Sequence, residues 1–188
     1  ISWSFEFLTS VLNIPVSRLA VTVFAGNDLI PFDSEAYNKW LSLGIKEERI
    51  AKTVEDNFWI AGETGPCGPD TEIFYDNGQP KCGPDCRPGC HCGKYLEIWN
   101  NVYILSHPNN DTISPLVPIV IELPKKNVDT GMGVERTVSV LNGQKSVYET
   151  DVFLPIIKSI EELSGKKYGA NEADDHNDII GKGILEWK

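Results

Sequence analysis

Four cysteines lie within eleven residues of the sequence: Cys82, Cys86, Cys90 and Cys92. Thiolates are soft ligands that suit a tetrahedral Zn²⁺ ion, and the intervening glycines and prolines supply turns that bend the backbone around an ion. Three basic residues and one acid in this loop give a local charge that offsets the net charge of four thiolates and one Zn²⁺. Because four protein ligands leave no open position, the pattern predicts a structural zinc site in an insertion at residues 80–94.

The spacing of these cysteines, C-x3-C-x3-C-x-C, leaves other chemistry open. It differs from the paired C-x2-C of many zinc sites, so two disulfides or an iron–sulfur cluster are the alternatives. His91 lies between two candidate ligands and could replace one of them, but Cys90 and Cys92 already complete the set. We therefore interpret His91 as a solvent-facing residue.

Two glycine-rich segments carry charged residues in a pattern typical of small-molecule sites. In residues 62–73, a loop rich in Gly and Pro allows backbone to approach a ligand closely and leads into a strand that carries Glu72. In residues 128–136, two glycines precede a helix whose first turns hold Glu135 and Arg136. Glycine at that place admits a backbone or a phosphate group at close range.

Four segments match one known family in the same order over more than half of the chain. They read DNFWIAGETGPCGPDTEIFYD at 56–76, YLEIWNNVYI at 95–104, PKKNVDTGMGVERTVSVL at 124–141 and YETDVFLPIIKSIEELSGKKYG at 148–169. The chain thereby resembles the alanyl-tRNA synthetases, a family of class II aminoacyl-tRNA synthetases. The resemblance implies ATP-dependent activation of alanine to alanyl-adenylate, transfer of alanine to tRNA(Ala), the use of Mg²⁺, and a cytoplasmic location.

The resemblance also implies roles for five residues in binding the amino acid. Asp129 matches the family's aspartate that holds the ammonium group through a charge-assisted hydrogen bond. Asn100 and Val102, at alternate positions of one strand, would face the same side and frame the alanine methyl group. Trp59 would close the pocket from the other side, and Gly131 would keep its floor open.

Two further residues are implied for the nucleotide. Arg136 matches the arginine of the third class II motif, which pairs with the ATP phosphates. Glu72 is a candidate for contacting ATP or its Mg²⁺ ion. No side chain is assigned as a catalytic acid or base.

Each of these residues has a plainer interpretation. Trp59 and Val102 could be ordinary core residues, Arg136 could belong to a helix-face ion pair, and an Asp before Thr-Gly often caps a turn or helix. Cys67 matches a family cysteine, whereas the family's next cysteine is replaced by Asp70. This departure argues against a second metal ion at that loop.

The resemblance covers only part of a synthetase. We expect the first two class II motifs to precede Ile1, so that residues 1–165 form the rear part of a catalytic domain and the isolated chain does not activate alanine. Residues 166–188 are left as an unassigned tail or the start of a following helical region. Editing and most tRNA contacts are expected outside this chain.

Sequence patterns predict the elements that position these residues. Helices are expected at Ile1–Leu12, from an Asp33-Ser34 cap to Gly44, at Met132–Leu141, and at Asp151–Leu163 with its end at Ser164-Gly165. Strands are expected at Leu19–Phe24, Thr71–Tyr75, Leu96–Leu105 and Leu116–Leu123. The last three strands lack helix-length connections, so neighbours should be antiparallel. The predicted fold class is α+β, which agrees with the class II fold of an antiparallel sheet flanked by helices.

Composition restricts the partners of the chain. The 188 residues carry a formal net charge of −10, which argues against a dedicated nucleic-acid-binding module. The longest apolar runs are far shorter than a membrane span. The family resemblance leaves two hypotheses: part of an alanine-activating ligase that uses alanine, ATP and tRNA, or a non-catalytic relative with a binding or regulatory role.

Overall fold

A computed structural model describes residues 1–28, 30–61, 65–108 and 120–169. The chain divides into two compact units, Ile1–Thr137 and Val138–Lys188. The predicted tail beyond residue 169 and the glycine-rich residues 62–64 lie outside the described residues. Within the described ranges, no helix is long and apolar enough to cross a membrane.

In the described part of the first unit, six strands form one sheet: β1 (Leu19–Phe24), β2 (Ile50–Thr53), β3 (Phe58–Ile60), β4 (Cys67–Asp76), β5 (Tyr95–Pro108) and β6 (Val120–Met132). The strand order is β2-β1-β4-β5-β6, and β3 pairs with β4. The predicted strands at Leu19–Phe24, Thr71–Tyr75 and Leu96–Leu105 are present, although β4 begins earlier than expected. Of the strand predicted at Leu116–Leu123, residues 116–119 lie outside the described residues, and the remainder belongs to β6, which continues nine residues beyond Leu123, through Met132. The predicted antiparallel pairing of β4, β5 and β6 is confirmed.

The sheet is mixed rather than purely antiparallel, which corrects the sequence prediction. Strands β1 and β2 run parallel, with Val21 opposite Ile50 and Phe24 opposite Thr53. A parallel pair needs a crossover connection, and the helix at Ser34–Ser42 provides it. The sequence pattern predicts that helix but not the four-residue strand that follows it, and so does not predict the parallel pair.

Four α-helices lie within the ranges that the structure describes: α1 (Ser2–Glu6), α2 (Ser34–Ser42), α3 (Val134–Leu141) and α4 (Leu154–Ser164). A π-helical turn at Phe7–Val11 continues α1, so the predicted single helix changes type within its length. The predicted cap of α2 is confirmed, because the Asp33 side chain accepts a hydrogen bond from the backbone N–H of Ala36 at 2.9 Å. Helix α4 ends at Gly165, as predicted, with a φ of 68°.

Helices α1 and α2 cover one face of the sheet and form the core with it. The Trp40 indole N–H donates to Thr71 Oγ1 at 2.8 Å, and the Ser4 hydroxyl donates to Asn101 Oδ1 at 3.2 Å. The largest fully buried apolar side chains are Trp40, Phe24, Leu8, Leu19, Ile73 and Ile98. Since side chains alternate along a strand, the residues on either side of Thr71 and Asn101 point to the opposite face.

Candidate functional site

The register of β4, β5 and β6 brings five of the predicted site residues onto one face of the sheet. Two rows of paired residues cross these strands, Glu72–Asn100–Gly131 and Asp70–Val102–Asp129. Directly paired residues share a face, and so do residues two apart along a strand. All six positions therefore lie together on the face opposite α1 and α2.

The other two predicted site residues lie at the edges of these rows. Trp59 on β3 pairs with Gly68, two residues before Asp70 on β4, and its side chain is half-buried. Arg136 lies in the first turn of α3, where its Nη1 atom is 2.8 Å from Glu97 Oε2 and 3.2 Å from the Glu97 carbonyl oxygen. The side chain of Arg136 is thus directed to β5 by an ion pair.

Asp70 is the centre of a buried hydrogen-bond network that the sequence analysis did not identify. It is 3% exposed, and its two carboxylate oxygens accept hydrogen bonds from the side-chain amides of Asn57 at 3.2 Å and Asn100 at 2.8 Å. The fully buried Asn57 also donates to Thr22 Oγ1 at 2.8 Å and accepts from Thr53 Oγ1. The i, i+2 spacing of Asp70 and Glu72 was the available signal, but the predicted strand begins at Thr71 and leaves Asp70 out. Because β4 begins at Cys67, both residues belong to it and their carboxyl groups lie on one face.

The carboxyl groups on this face are poorly compensated by positive charge. Burial, together with the charges of Glu97 and Asp70, raises the pKa of Glu72 to about 8. Burial also raises the pKa of Asp70, although the hydrogen bonds from Asn100 and Asn57 act in the opposite direction. A cation bound at this face would favour the ionised forms of both groups.

A cavity of about 470 Å³ lies between these strands and the cysteine loop. Its sheet side includes Glu72 and Glu97, Arg136 reaches it from α3, and Cys90 and His91 belong to its loop side. His91 is exposed to solvent, as predicted. It nevertheless lines this cavity and therefore lies next to the candidate site. The wall of the cavity contains more carboxylates than guanidinium groups. The cavity would therefore accept a polyphosphate that carries a divalent cation more readily than a polyphosphate without one.

The four clustered cysteines come together as the sequence predicted. Their sulfur atoms all lie within 4.8 Å of one another. Cys82 Sγ is 3.6 Å from Cys90 Sγ, and Cys86 Sγ is 3.7 Å from Cys92 Sγ, so neither pair is joined as a disulfide. Zn–S bonds of about 2.3 Å place the sulfurs of a regular tetrahedron about 3.8 Å apart, so the observed spacing fits an ion of that size.

A buried ion pair closes the base of the cysteine loop. Asp76 ends β4 and Lys94 immediately precedes β5, and Lys94 Nζ lies 2.7 Å from Asp76 Oδ1. The same ammonium donates to the Gln79 carbonyl oxygen at 2.6 Å, and the Asn77 N–H donates to the Lys94 carbonyl oxygen at 3.1 Å. These contacts hold together the two ends of a loop that contains few apolar residues.

The similarity of this chain to known proteins agrees with the arrangement of the candidate site residues. The chain is 57% identical over 180 residues to the alanine--tRNA ligase of Treponema denticola, a match that covers 93% of this chain and 29% of that protein. It is 53% identical over 176 residues to the alanine--tRNA ligase of Borreliella burgdorferi, covering 92% of this chain and 29% of that protein. The chain therefore spans less than a third of the length of these relatives. The sequence model of the family described as tRNA synthetases class II (A) matches residues 1–181, and the chain belongs to that family of class II aminoacyl-tRNA synthetases.

Proposed function

We propose that the complete protein carrying this chain is an alanine--tRNA ligase, which joins alanine to ATP as alanyl-adenylate and transfers alanine to tRNA(Ala). The observation that carries this proposal is the pair of residue rows across β4, β5 and β6, because they bring Asn100, Val102, Asp129 and Gly131 to one sheet face. The identities of 57% and 53% to the alanine--tRNA ligases of Treponema denticola and Borreliella burgdorferi support the same reaction. As in those relatives, the activity belongs to a polypeptide longer than this chain.

The amino acid binds beside β5 and β6. The exposed carboxylate of Asp129 accepts hydrogen bonds from the ammonium group, and Val102, which is 8% exposed, provides a small apolar wall for the methyl group. A Cβ atom at Gly131 would meet no atom of the described residues within 4 Å, so we infer that the space at this position is available to a ligand. Trp59 bounds the same pocket from the β3 side.

ATP occupies the neighbouring cavity. Arg136 pairs with the phosphates and offsets the charge that develops on pyrophosphate, which requires it to exchange its contact with Glu97 for the nucleotide. Glu72 would hold Mg²⁺ or a magnesium-bound water, and the ion would neutralise phosphate charge in a cavity rich in carboxylates. The 3′ end of tRNA(Ala) would then receive alanine, in the cytoplasm. Because this chain is acidic, the tRNA would be held chiefly by regions outside it.

Cys82, Cys86, Cys90 and Cys92 would hold a structural Zn²⁺ ion, since their four sulfur atoms lie within 4.8 Å of one another. A regular tetrahedral arrangement of four thiolates leaves the metal no position for substrate. The ion would therefore act by fixing the loop that forms one side of the ATP cavity, including Cys90 and His91.

Alanine-dependent exchange of pyrophosphate into ATP tests the ligase proposal in the complete gene product. We expect exchange with alanine, and its loss in Asp129→Asn, since the neutral amide removes the charge that pairs with the ammonium group. Asp151→Asn, an exposed substitution on the second unit, is the matched control and should retain exchange. Absence of exchange from the unmodified gene product would favour the non-catalytic alternative.

A further inference from the structure

Asp70 determines which way the side-chain amide of Asn100 faces. A carboxylate only accepts hydrogen bonds, and both oxygens of Asp70 are paired with amide groups. The nitrogen of Asn100, rather than its oxygen, must therefore face Asp70, where Nδ2 donates to Oδ2 at 2.8 Å. The orientation of the Asn100 amide therefore follows from the acceptor-only character of the carboxylate as well as from the observed distance.

The consequence is a buried acceptor that has no donor. Asn100 Oδ1 is shielded from solvent and makes no hydrogen bond within the part of the chain that the structure describes. Leaving such an oxygen unpaired is unfavourable, so the arrangement is suited to a ligand that supplies an N–H or O–H group. Asn100 pairs with Gly131 and lies one row from Asp129, which is the proposed position of the alanine ammonium group.

The amide is held firmly because Asp70 is itself held. Asn57 donates to Asp70 Oδ1 at 3.2 Å and to Thr22 Oγ1 at 2.8 Å, and the Asp70 N–H donates to the Asn57 carbonyl oxygen at 3.0 Å. The three residues linked by these hydrogen bonds, Thr22, Asn57 and Asp70, are each at least 97% buried. Rotation of the Asn100 amide would place two acceptor oxygens together and is therefore disfavoured.

We propose that Asp70 is a positioning residue, which holds Asn100 so that its Oδ1 accepts one hydrogen bond from the ammonium group of alanine while Asp129 accepts another. An ammonium group has three donors and can satisfy both oxygens at once. The inference rests on the proposed function, because it assigns a second oxygen ligand to the same substrate group. It gives Asp70 a role that depends on accepting, and never donating, a hydrogen bond.

Asp70→Asn in the complete gene product tests this role. The substituted amide is nearly the same size but can donate as well as accept, so it allows Asn100 to turn and present its nitrogen to the ammonium group. We expect the KM for alanine in pyrophosphate exchange to rise roughly 10- to 100-fold. The KM for ATP should stay within about twofold, since binding of ATP does not involve Asn100 Oδ1.

The double variant Asp70→Asn with Asn100→Asp provides a rescue. It exchanges donor and acceptor across the contact and returns an oxygen to the ligand side, so the KM for alanine should recover most of its loss. Asp151→Asn is the control for an Asp-to-Asn change on an exposed surface and should leave both KM values unchanged. Thermal unfolding of each variant reports whether the fold is retained.

The outcomes separate the two proposals. An active wild type with an unchanged KM for alanine in Asp70→Asn would overturn the positioning role alone. Equal increases in both KM values, or no rescue by the double variant when both variants are folded, would also overturn it. A folded wild type without alanine-dependent exchange would overturn the proposed function, and with it this inference.

Discussion

Lys94 and Asp76 form a buried ion pair, with Lys94 Nζ 2.7 Å from Asp76 Oδ1, at the two points where the chain leaves and re-enters the sheet. Their side chains are 9% and 8% exposed, and Arg49 Nη2 lies 3.4 Å from the other carboxylate oxygen. A buried ammonium group is stable only with such partners. The ion pair therefore holds the cysteine loop in place and also stabilises the adjoining ends of β4 and β5.

Asp76→Asn should destabilise the protein strongly. It leaves the Lys94 ammonium buried without its counter-charge, and removal of one partner of a buried pair costs about 3–5 kcal/mol. Urea unfolding would measure the change. Asp85→Asn, an exposed substitution within the same loop, is the matched control and should change the free energy of unfolding by less than about 0.5 kcal/mol. Equal stability of the two variants would contradict the importance of the pair.

Zinc content should depend on the clustered cysteines and not on Cys67. We expect one zinc ion per chain by elemental analysis, and five reactive thiols after denaturation in the presence of a chelator. Cys86→Ser should greatly reduce zinc retention because it removes one of the four ligands. Cys67→Ala, at a buried cysteine outside the cluster, should retain the ion. A metal-free protein with one reactive thiol would indicate two disulfides, and bound iron would indicate an iron–sulfur cluster.

Glu72→Gln should increase stability at alkaline pH. Burial and the neighbouring charges of Glu97 and Asp70 raise the pKa of Glu72 from its ordinary value of 4.5 to about 8. The folded protein thus binds this proton more tightly than the unfolded chain, and ionisation opposes folding as the pH rises between these two values. Glutamine cannot ionise, so its advantage over the wild type should be larger at about pH 8 than at about pH 5.

Urea unfolding of both proteins across that pH range measures this effect. The predicted substrate contact of Glu72 gives the same variant a second phenotype, weaker binding of Mg²⁺–ATP, because the carboxylate ligand is lost. A gain of stability combined with a loss of binding is typical of a binding-site residue. A stability difference that does not change with pH would contradict the raised pKa.

Gly131→Ala should impair alanine recognition without damaging the fold. Among the residues that the structure describes, no atom lies within 4 Å of a Cβ atom built at this position, so the free energy of unfolding should change by less than about 0.5 kcal/mol. If the space belongs to the substrate, the KM for alanine should rise about 10- to 200-fold, the range for a methyl-sized change in a binding pocket. Gly83→Ala is the control, because a Cβ atom there also has no described atom within 4 Å, and it should keep the KM for alanine unchanged.

Local signals in the sequence were sufficient for the isolated elements. The limits of β1, the Asp33 cap and the Gly165 end of α4 follow from nearby residues, and the structure agrees with them. The short strand β2 was missed because four residues give too little periodicity, and its parallel pairing depends on a crossover over α2. Met132 was assigned to a helix but ends β6, since an apolar residue beside a glycine fits either element.

The candidate site was only partly predictable for a similar reason. Asn100, Val102, Asp129 and Gly131 could be chosen because family resemblance supplied their roles, and the register then brought them together. Asp70 was noticed only as a departure from a family cysteine. Its importance depends on Asn57 and Asn100, which are 13 and 30 residues away along the chain, and no local pattern reports contacts of that separation.

The alternation of β4 has a consequence for insertions and deletions. Thr71 and Ile73 face the helices, whereas Asp70 and Glu72 face the candidate site. Removing one residue from this strand would exchange the two sets, placing carboxylates in the core and apolar side chains in the pocket. Removing two residues would preserve that assignment. Length changes in β4 should therefore be judged by whether they are odd or even, and an odd change should be more harmful than most single substitutions there.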